Sequence, residues 1–255
     1  MPGAGNRPND GPAMTLLPLV VALDGPASSG KSSVGAAAAR QVGFRFCDTG
    51  LLYRAITWLV LARGIDPADQ AALVHLVPEV ELAADPYGRL ARVLVDGEDV
   101  TDRVHAPDVD RRVSEVSRAG DLRAALLQRQ RAIASGGRIV VAGRDIGTVV
   151  LPNAGLKVFL DASAEERARR RAEERNLDPA GPEAQAVLAE LLRRDDLDRN
   201  RPVAPLRPAP DAVHIVTDGN AFEETVAEVV AAIHRAGDVP THAAASVTPD
   251  AGGAG

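Results

Sequence analysis

Apolar residues run along this chain in two alternating rhythms. Continuous apolar runs of strand length occur at LPLVVAL (17–23), FRFCD (44–48), GRIVVAG (137–143), LKVFLDA (156–162) and AVHIVTD (212–218). Between them lie stretches with helical spacing, at 31–42, at 50–62 and in the Arg-rich segment after Ser163. Ser163 with Glu166 forms a capping box that opens this last helix, and Asn220 with Glu223 resembles a second one before a C-terminal helix. Strands separated by helices predict an α/β fold, a central parallel sheet flanked by helices. One stretch breaks the alternation. In PEVELAADPYGRLARVLVDGEDVT two alternating runs are joined by Asp85, Pro86, Tyr87 and Gly88. This predicts an antiparallel hairpin in an inserted subdomain, against the plainer reading of an irregular surface excursion.

The pattern divides the chain into core segments at 18–63, 113–162 and 186–235, an inserted subdomain at 64–112 and a lid region at 163–185. Residues 1–17 and 236–255, rich in Gly, Pro, Ala and Thr, read as disordered tails. Composition adds little except at three points. Aromatic residues make up 3% of the 255 positions, so the core has to be built from Ala, Val, Leu and Ile. The net charge of -6 argues against non-specific binding to nucleic acid, although a local cluster of cations is compatible with it. The single cysteine, Cys47, cannot form an internal disulfide and reads as a small buried hydrophobe. No signal peptide is evident and no run approaches the roughly 18 apolar residues of a membrane span. A cytoplasmic protein without a membrane or nucleic-acid partner is expected.

The first apolar run ends in Gly25, Pro26, Ala27, Ser28, Ser29, Gly30, Lys31, Ser32 and Ser33, which contains G-x-x-x-x-G-K-S between a strand and a helix. In that context exposed N–H groups and the helix N-terminus wrap a phosphate chain. Lys31 would reach the β- and γ-phosphates of ATP, and the Ser32 hydroxyl would bind Mg²⁺. Lysine is otherwise nearly absent: only Lys31 and Lys157 occur in a chain rich in arginine. A compact ammonium fits a phosphate cradle that a planar guanidinium does not. For Asp24, just before the loop, a structural role in the turn and a functional one are equally open.

The loop identifies a phosphate donor and leaves the acceptor open. A switch GTPase would also carry N-K-x-D, which is missing. Three stretches instead place arginines where two polyanions would meet: Asp48 to Arg54, Gly143 to Thr148 directly after a strand, and RRDDLDRNRPVAP. In the last, Arg194, Asp198 and Arg201 fall at i, i+4 and i+7 on one helical face, with Pro202 ending the helix. Arg144 could take a phosphate and Asp145 could accept from an exocyclic amine. Alternating charges of this kind are also common on solvated, self-paired surfaces.

Taken together, DGPASSGKSS, DTGLLYRA, ALLQRQR, GRDIGTVV, FLDASAEERARRR and RDDLDRNRPVAPL resemble the bacterial cytidylate kinases in the family's order, from about residue 20 to residue 233. The resemblance implies the P-loop nucleoside monophosphate kinase fold, with an inserted antiparallel monophosphate-binding subdomain and a short lid. It implies transfer of the γ-phosphoryl group of Mg-ATP to CMP and dCMP by a monomer. Position by position, Thr49, Arg54, Arg144 and Arg201 match residues around the acceptor phosphate. Ser114, Arg123 and Asp145 match the cytosine readers, and Arg194 and Asp198 the sugar-contacting pair. Arg170 and Arg171 match lid arginines that act with Lys31, Arg144 and Arg201 in transfer, whereas Arg167 and Arg169 carry only a surface reading. One position departs: relatives often have an acidic residue before G-R-D, and here it is Ala142, so Ser32 is the one metal ligand implied. A shikimate- or gluconate-type P-loop kinase is the alternative enzyme, and a non-catalytic ATP-binding module the alternative of another class.

Overall fold

The computed structural model describes residues 19–178 and 181–237. The tails expected at 1–17 and 236–255 therefore lie outside the described residues, apart from residues 236 and 237, which continue the last helix. Strand β1 (Val20–Asp24) leads into helix α1 (Lys31–Gln41), followed by β2 (Arg45–Asp48) and α2 (Gly50–Arg63). Next come α3 (Gln70–His75), β3 (Val80–Ala84), β4 (Arg89–Val95) and the short β5 (Glu98–Asp99). Helices α4 (Pro107–Val116) and α5 (Gly120–Ala134) return the chain to β6 (Ile139–Gly143) and β7 (Leu156–Asp161). Helices α6 (Ala164–Glu174) and α7 (Pro182–Arg199), then β8 (Val213–Val216) and α8 (Phe222–Gly237), complete it.

The strand order is β3-β4-β2-β6-β1-β7-β8, with β5 beside β4. From β2 to β8 every pairing is parallel. The inner strands β1, β6 and β7 are covered on both faces, as their continuous apolar runs require, whereas only Ile215 of the edge strand β8 is buried. All five residues of the central β6 are buried. On one face α1, through Val34, and α8 cover Leu23, Phe46 and Leu160, and on the other α5 covers Cys47, Ile139 and Val141.

The hairpin at 80–95 is antiparallel and turns at Asp85, whose carboxylate accepts from the N–H groups of Tyr87 and Arg89. It does not form a sheet of its own. β4 pairs parallel with β2 through Phe46 and Cys47, so the inserted strands extend the central sheet. Nor is its core separate: Val80, Val93 and Val95 share one apolar cluster with Leu52 and Ile56 of α2 and Leu122 and Leu126 of α5. Two helix starts differ from the sequence reading. Ser163 Oγ accepts from Glu166 N, but the Glu166 carboxylate turns to Arg169 and Arg170, and Ser163 N donates to Asp218. α8 begins one residue later than Asn220 predicts, with Ala221 N donating to Glu224.

Candidate active site

The carboxyl ends of β1, β2 and β6 open into a cleft of about 660 Å³, at the point where the chain leaves β1 in one direction and β6 and β7 flank it on either side. Such crevices are where open parallel sheets bind ligands. At one end lies the loop of 25–33. Ser28 and Gly30 have left-handed backbones, at φ 58° and 84°, so the chain curls tightly here, with Ser29 N donating back to Pro26 O at 3.4 Å. Gly25 is forced by close packing: a Cβ there would stand 2.3 Å from the Leu160 carbonyl of β7. Lys31 is buried and donates to Pro26 O at 3.0 Å, folded back over its own loop. Burial, then the nearby Arg144, push its ammonium well below the usual lysine value. An anion in the loop would reverse that.

Asp24 does not cap this loop. Its carboxylate accepts from Ile146 N at 2.8 Å and Gly147 N at 2.7 Å, tying β1 to the turn that carries Arg144 and Asp145. Burial lifts its carboxyl to about 6 despite these bonds. Ser32 Oγ donates to the Asp48 carboxylate, whose other oxygen accepts from Gly50 N at 2.8 Å and starts α2. Ala142 is fully buried among Leu23, Val34 and Phe46, so no carboxylate reaches the cleft from that position. A hydroxyl and a carboxylate oxygen side by side are hard donors of the kind Mg²⁺ takes, so the Ser32 and Asp48 pair fits that ion. Among the described residues no group of three or more His, Cys, Asp or Glu side chains could hold a metal.

Every acceptor residue expected from the sequence lines the same cleft: Thr49, Arg54, Ser114, Arg123, Arg144, Asp145, Arg194, Asp198 and Arg201. Of the loop residues expected to bind ATP, Ala27 to Ser33 line it, whereas Gly25 and Pro26 lie behind them. At the far end Arg123 Nη2 donates to both oxygens of Asp145 at 2.6 Å, and Arg201 Nη2 reaches Oδ1 at 3.2 Å. Tyr53 lies under Arg123, with its ring centroid 5.2 Å from the guanidinium carbon. Burial and the neighbouring Arg123 lower Arg201 from its ordinary value. In mid-cleft Arg144 Nε donates to Asp198 at 2.9 Å, while buried Arg194 keeps an Nε without a partner. Burial and the charge of Arg144 lower Arg194 to about 10. Thr49 Oγ1 donates to Ala142 O at 2.9 Å.

Of the charged run of 193–201, Arg194, Asp195, Asp198 and Arg201 are buried, while Arg193, Asp196 and Arg199 are exposed. Only Arg194 and Asp198 share a face of α7: the helix ends at Arg199, and Arg201 reaches Asp145 from the following loop, braced by Ala204 O at 2.5 Å. The two lid arginines diverge. Arg170 donates to Thr217 Oγ1 at 2.9 Å on the β8 side, and Arg171 to Asp110 at 2.5 Å on the acceptor side.

Arg167 is not a surface residue. It is 2% exposed, pairs with Asp195 at 2.6 Å and 3.2 Å, and donates to Ala27 O of the loop at 3.0 Å. Arg169 is exposed, paired with Glu166 and Glu173. Asp48, Tyr53 and Asp110 were not singled out from the sequence as site residues. The first two stand within DTGLLYR, which carried a signal, whereas nothing around Asp110 did.

A family model described as cytidylate kinase matches residues 21–235. The cytidylate kinase of Geobacillus kaustophilus is 46% identical over 213 residues, covering 82% of this chain and 94% of the relative. That of Roseiflexus castenholzii is 44% identical over 85% of this chain and 94% of its own length. That of Mycobacterium avium is 49% identical over 78% of this chain and 88% of its own.

Proposed function

The chain belongs to the cytidylate kinase family, and from that premise we propose that it transfers the γ-phosphoryl group of ATP to CMP and dCMP. The observation that carries the assignment of ends is the row of cations in one cleft. Lys31 lies at the loop, Arg144, Arg54 and Arg194 in the middle, and Arg123 with Arg201 around Asp145 at the far end.

In this reading the N–H groups of 28–33 and Lys31 hold the donor phosphates, with Ser32 and Asp48 next to Mg²⁺. Mg²⁺ held there would supply positive charge against the charge on the transferred group. Thr49, Arg54, Arg144 and Arg201 orient the acceptor phosphate, and Arg194 with Asp198 the sugar. Arg170 and Arg171 close over the cleft from α6 and exclude water. An acceptor phosphate is already anionic, so in-line transfer needs positioning and neutral charge balance rather than a dedicated base.

Ser114, Arg123 and Asp145 read the base. The Asp145 carboxylate accepts from two guanidiniums and retains lone pairs for the N4 amine of cytosine. Uracil presents an oxygen there and meets like charge. We also propose that the enzyme works as a monomer in the cytoplasm. Among the described residues no helix is long and apolar enough to cross a membrane.

ADP production with CMP, dCMP, UMP, AMP and shikimate tests the reading. CMP and dCMP are the expected substrates, and turnover of shikimate without CMP overturns it. In Asp145→Ala the preference for CMP over UMP should fall more than ATP affinity does; an unchanged preference removes Asp145 from the base site.

A further inference from the structure

Asp110 stands in the first turn of α4, is 3% exposed, and has no part in the roles assigned above. Its carboxylate is met from three other helical segments. Arg54 of α2 donates to Oδ1 at 2.6 Å. Arg171 of α6 donates to Oδ2 at 2.5 Å, and Arg175, just past that helix, to the same oxygen at 3.3 Å. Arg194 of α7 stands 3.9 Å from Oδ1. His105, on the segment before α4, is the remaining titratable neighbour, held below its ordinary value by burial and by Arg54. Arg54 and Arg194 belong to the middle of the cleft, where the acceptor's phosphate and sugar are assigned, and Arg171 to the lid. One buried carboxylate thus joins an arginine assigned to the acceptor phosphate, one assigned to its sugar and one of the lid.

Carboxylate and phosphate make the same demand on a guanidinium, paired N–H donors to anionic oxygens. Four guanidiniums gathered without an anion would repel one another in a region of low dielectric. Burial acts to raise the Asp110 carboxyl, but Arg54, Arg171 and Arg194 outweigh it and hold the group below the ordinary carboxylate value. The buried Arg194 Nε meanwhile has no partner, so the cluster has donor capacity left.

We propose that Asp110 is an internal counter-anion of the acceptor-phosphate site, which ties Arg54 to the lid residue Arg171 until the phosphate of the acceptor takes over these guanidiniums. The proposal rests on the reading of Arg54 and Arg171 given above. Entry of the acceptor then exchanges one anion for another instead of adding charge to bare cations. The carboxylate competes with the phosphate, weakening its hold and easing release of the diphosphate product. It acts chiefly on phosphate, since it touches nothing that reads the base and Arg194, assigned to the sugar, stands 3.9 Å away, beyond hydrogen-bond distance.

The test is calorimetric titration of the full chain, wild type and Asp110→Asn, with CMP and with cytidine. The variant should bind CMP roughly fivefold or more tightly, since one negative charge beside the phosphate is gone, while its affinity for cytidine stays the same. CMP binding that is unchanged or weaker overturns the proposal, and so does equal tightening of CMP and cytidine. A second measurement needs no variant. Titration of the Asp110 carboxyl by ¹³C NMR in the wild type should give a low pKa in the free protein and a higher one at saturating CMP; a pKa that does not move overturns the proposal. Wild-type protein that binds neither CMP nor cytidine would sink the acceptor reading itself, which separates the two failures.

Discussion

Replacing Arg167 by methionine preserves most of the side chain's length and removes its guanidinium. Three groups lose a partner at once. The Asp195 carboxylate, 5% exposed, loses both of its bonds from the guanidinium. The carbonyls of Ala27 and Ala162 each lose a donor at 3.0 Å. Removing one partner of a buried ion pair costs about 3–5 kcal/mol, because the remaining charge stays desolvated and unpaired. For a protein of this size each kcal/mol lowers Tm by about 2–4 °C, so a fall of roughly 6–20 °C is expected. Calorimetric unfolding of wild type, Arg167→Met and Asp195→Leu and the double variant measures it. The double variant should recover most of the loss, since neither charge is then stranded. A single-variant loss below about 1 kcal/mol, or a double variant whose losses simply add, would refute the reasoning.

Asp24 gives a pH signature. Burial raises its carboxyl from 3.8 to about 6, so the folded state favours the protonated form. That contribution is complete below the unfolded-state value and is lost as pH rises through 6. Relative to Asp24→Asn, wild-type unfolding free energy from urea titrations should therefore fall by about 3 kcal/mol between about pH 3.5 and pH 7; a difference that is flat with pH contradicts it. Gly143→Ala would drive a Cβ to 2.7 Å from Ile146 Cδ1 and 2.9 Å from Thr49 Oγ1. Overpacking of this kind costs about 1–3 kcal/mol, and steady-state kinetics should show KM for CMP rising more than KM for ATP. An equal effect on both would place the disturbance elsewhere.

The parallel strands and the donor loop were legible because their signals are local. Apolar runs such as IVVA and the spacing from Gly25 to Ser32 carry their meaning within a few residues. The residues assigned to the acceptor stood out as residue types in short motifs, but their partners did not. Arg167 read as surface because charge on a helix usually is, and only the packing of α6 against α7 and the loop brings Asp195 and Ala27 to it. Arg201 read as part of a helical face, yet the helix stops at Arg199 and the side chain arrives from the loop. The hairpin was legible in its alternation and its turn, while its joining to β2 depends on backbone edges that no side-chain pattern records.

The sequence by itself determined the kinds of element, their order and the chemistry on offer. Hydrophobic period and loop spacing are properties of neighbours along the chain. Tertiary structure alone decided which charges meet. Asp110 is one acidic residue among many until α2, α4, α6 and α7 converge on it and bring Arg54, Arg171 and Arg194 within reach. Attraction between buried charges depends on distance and local dielectric, and both are set by how helices remote in sequence pack together.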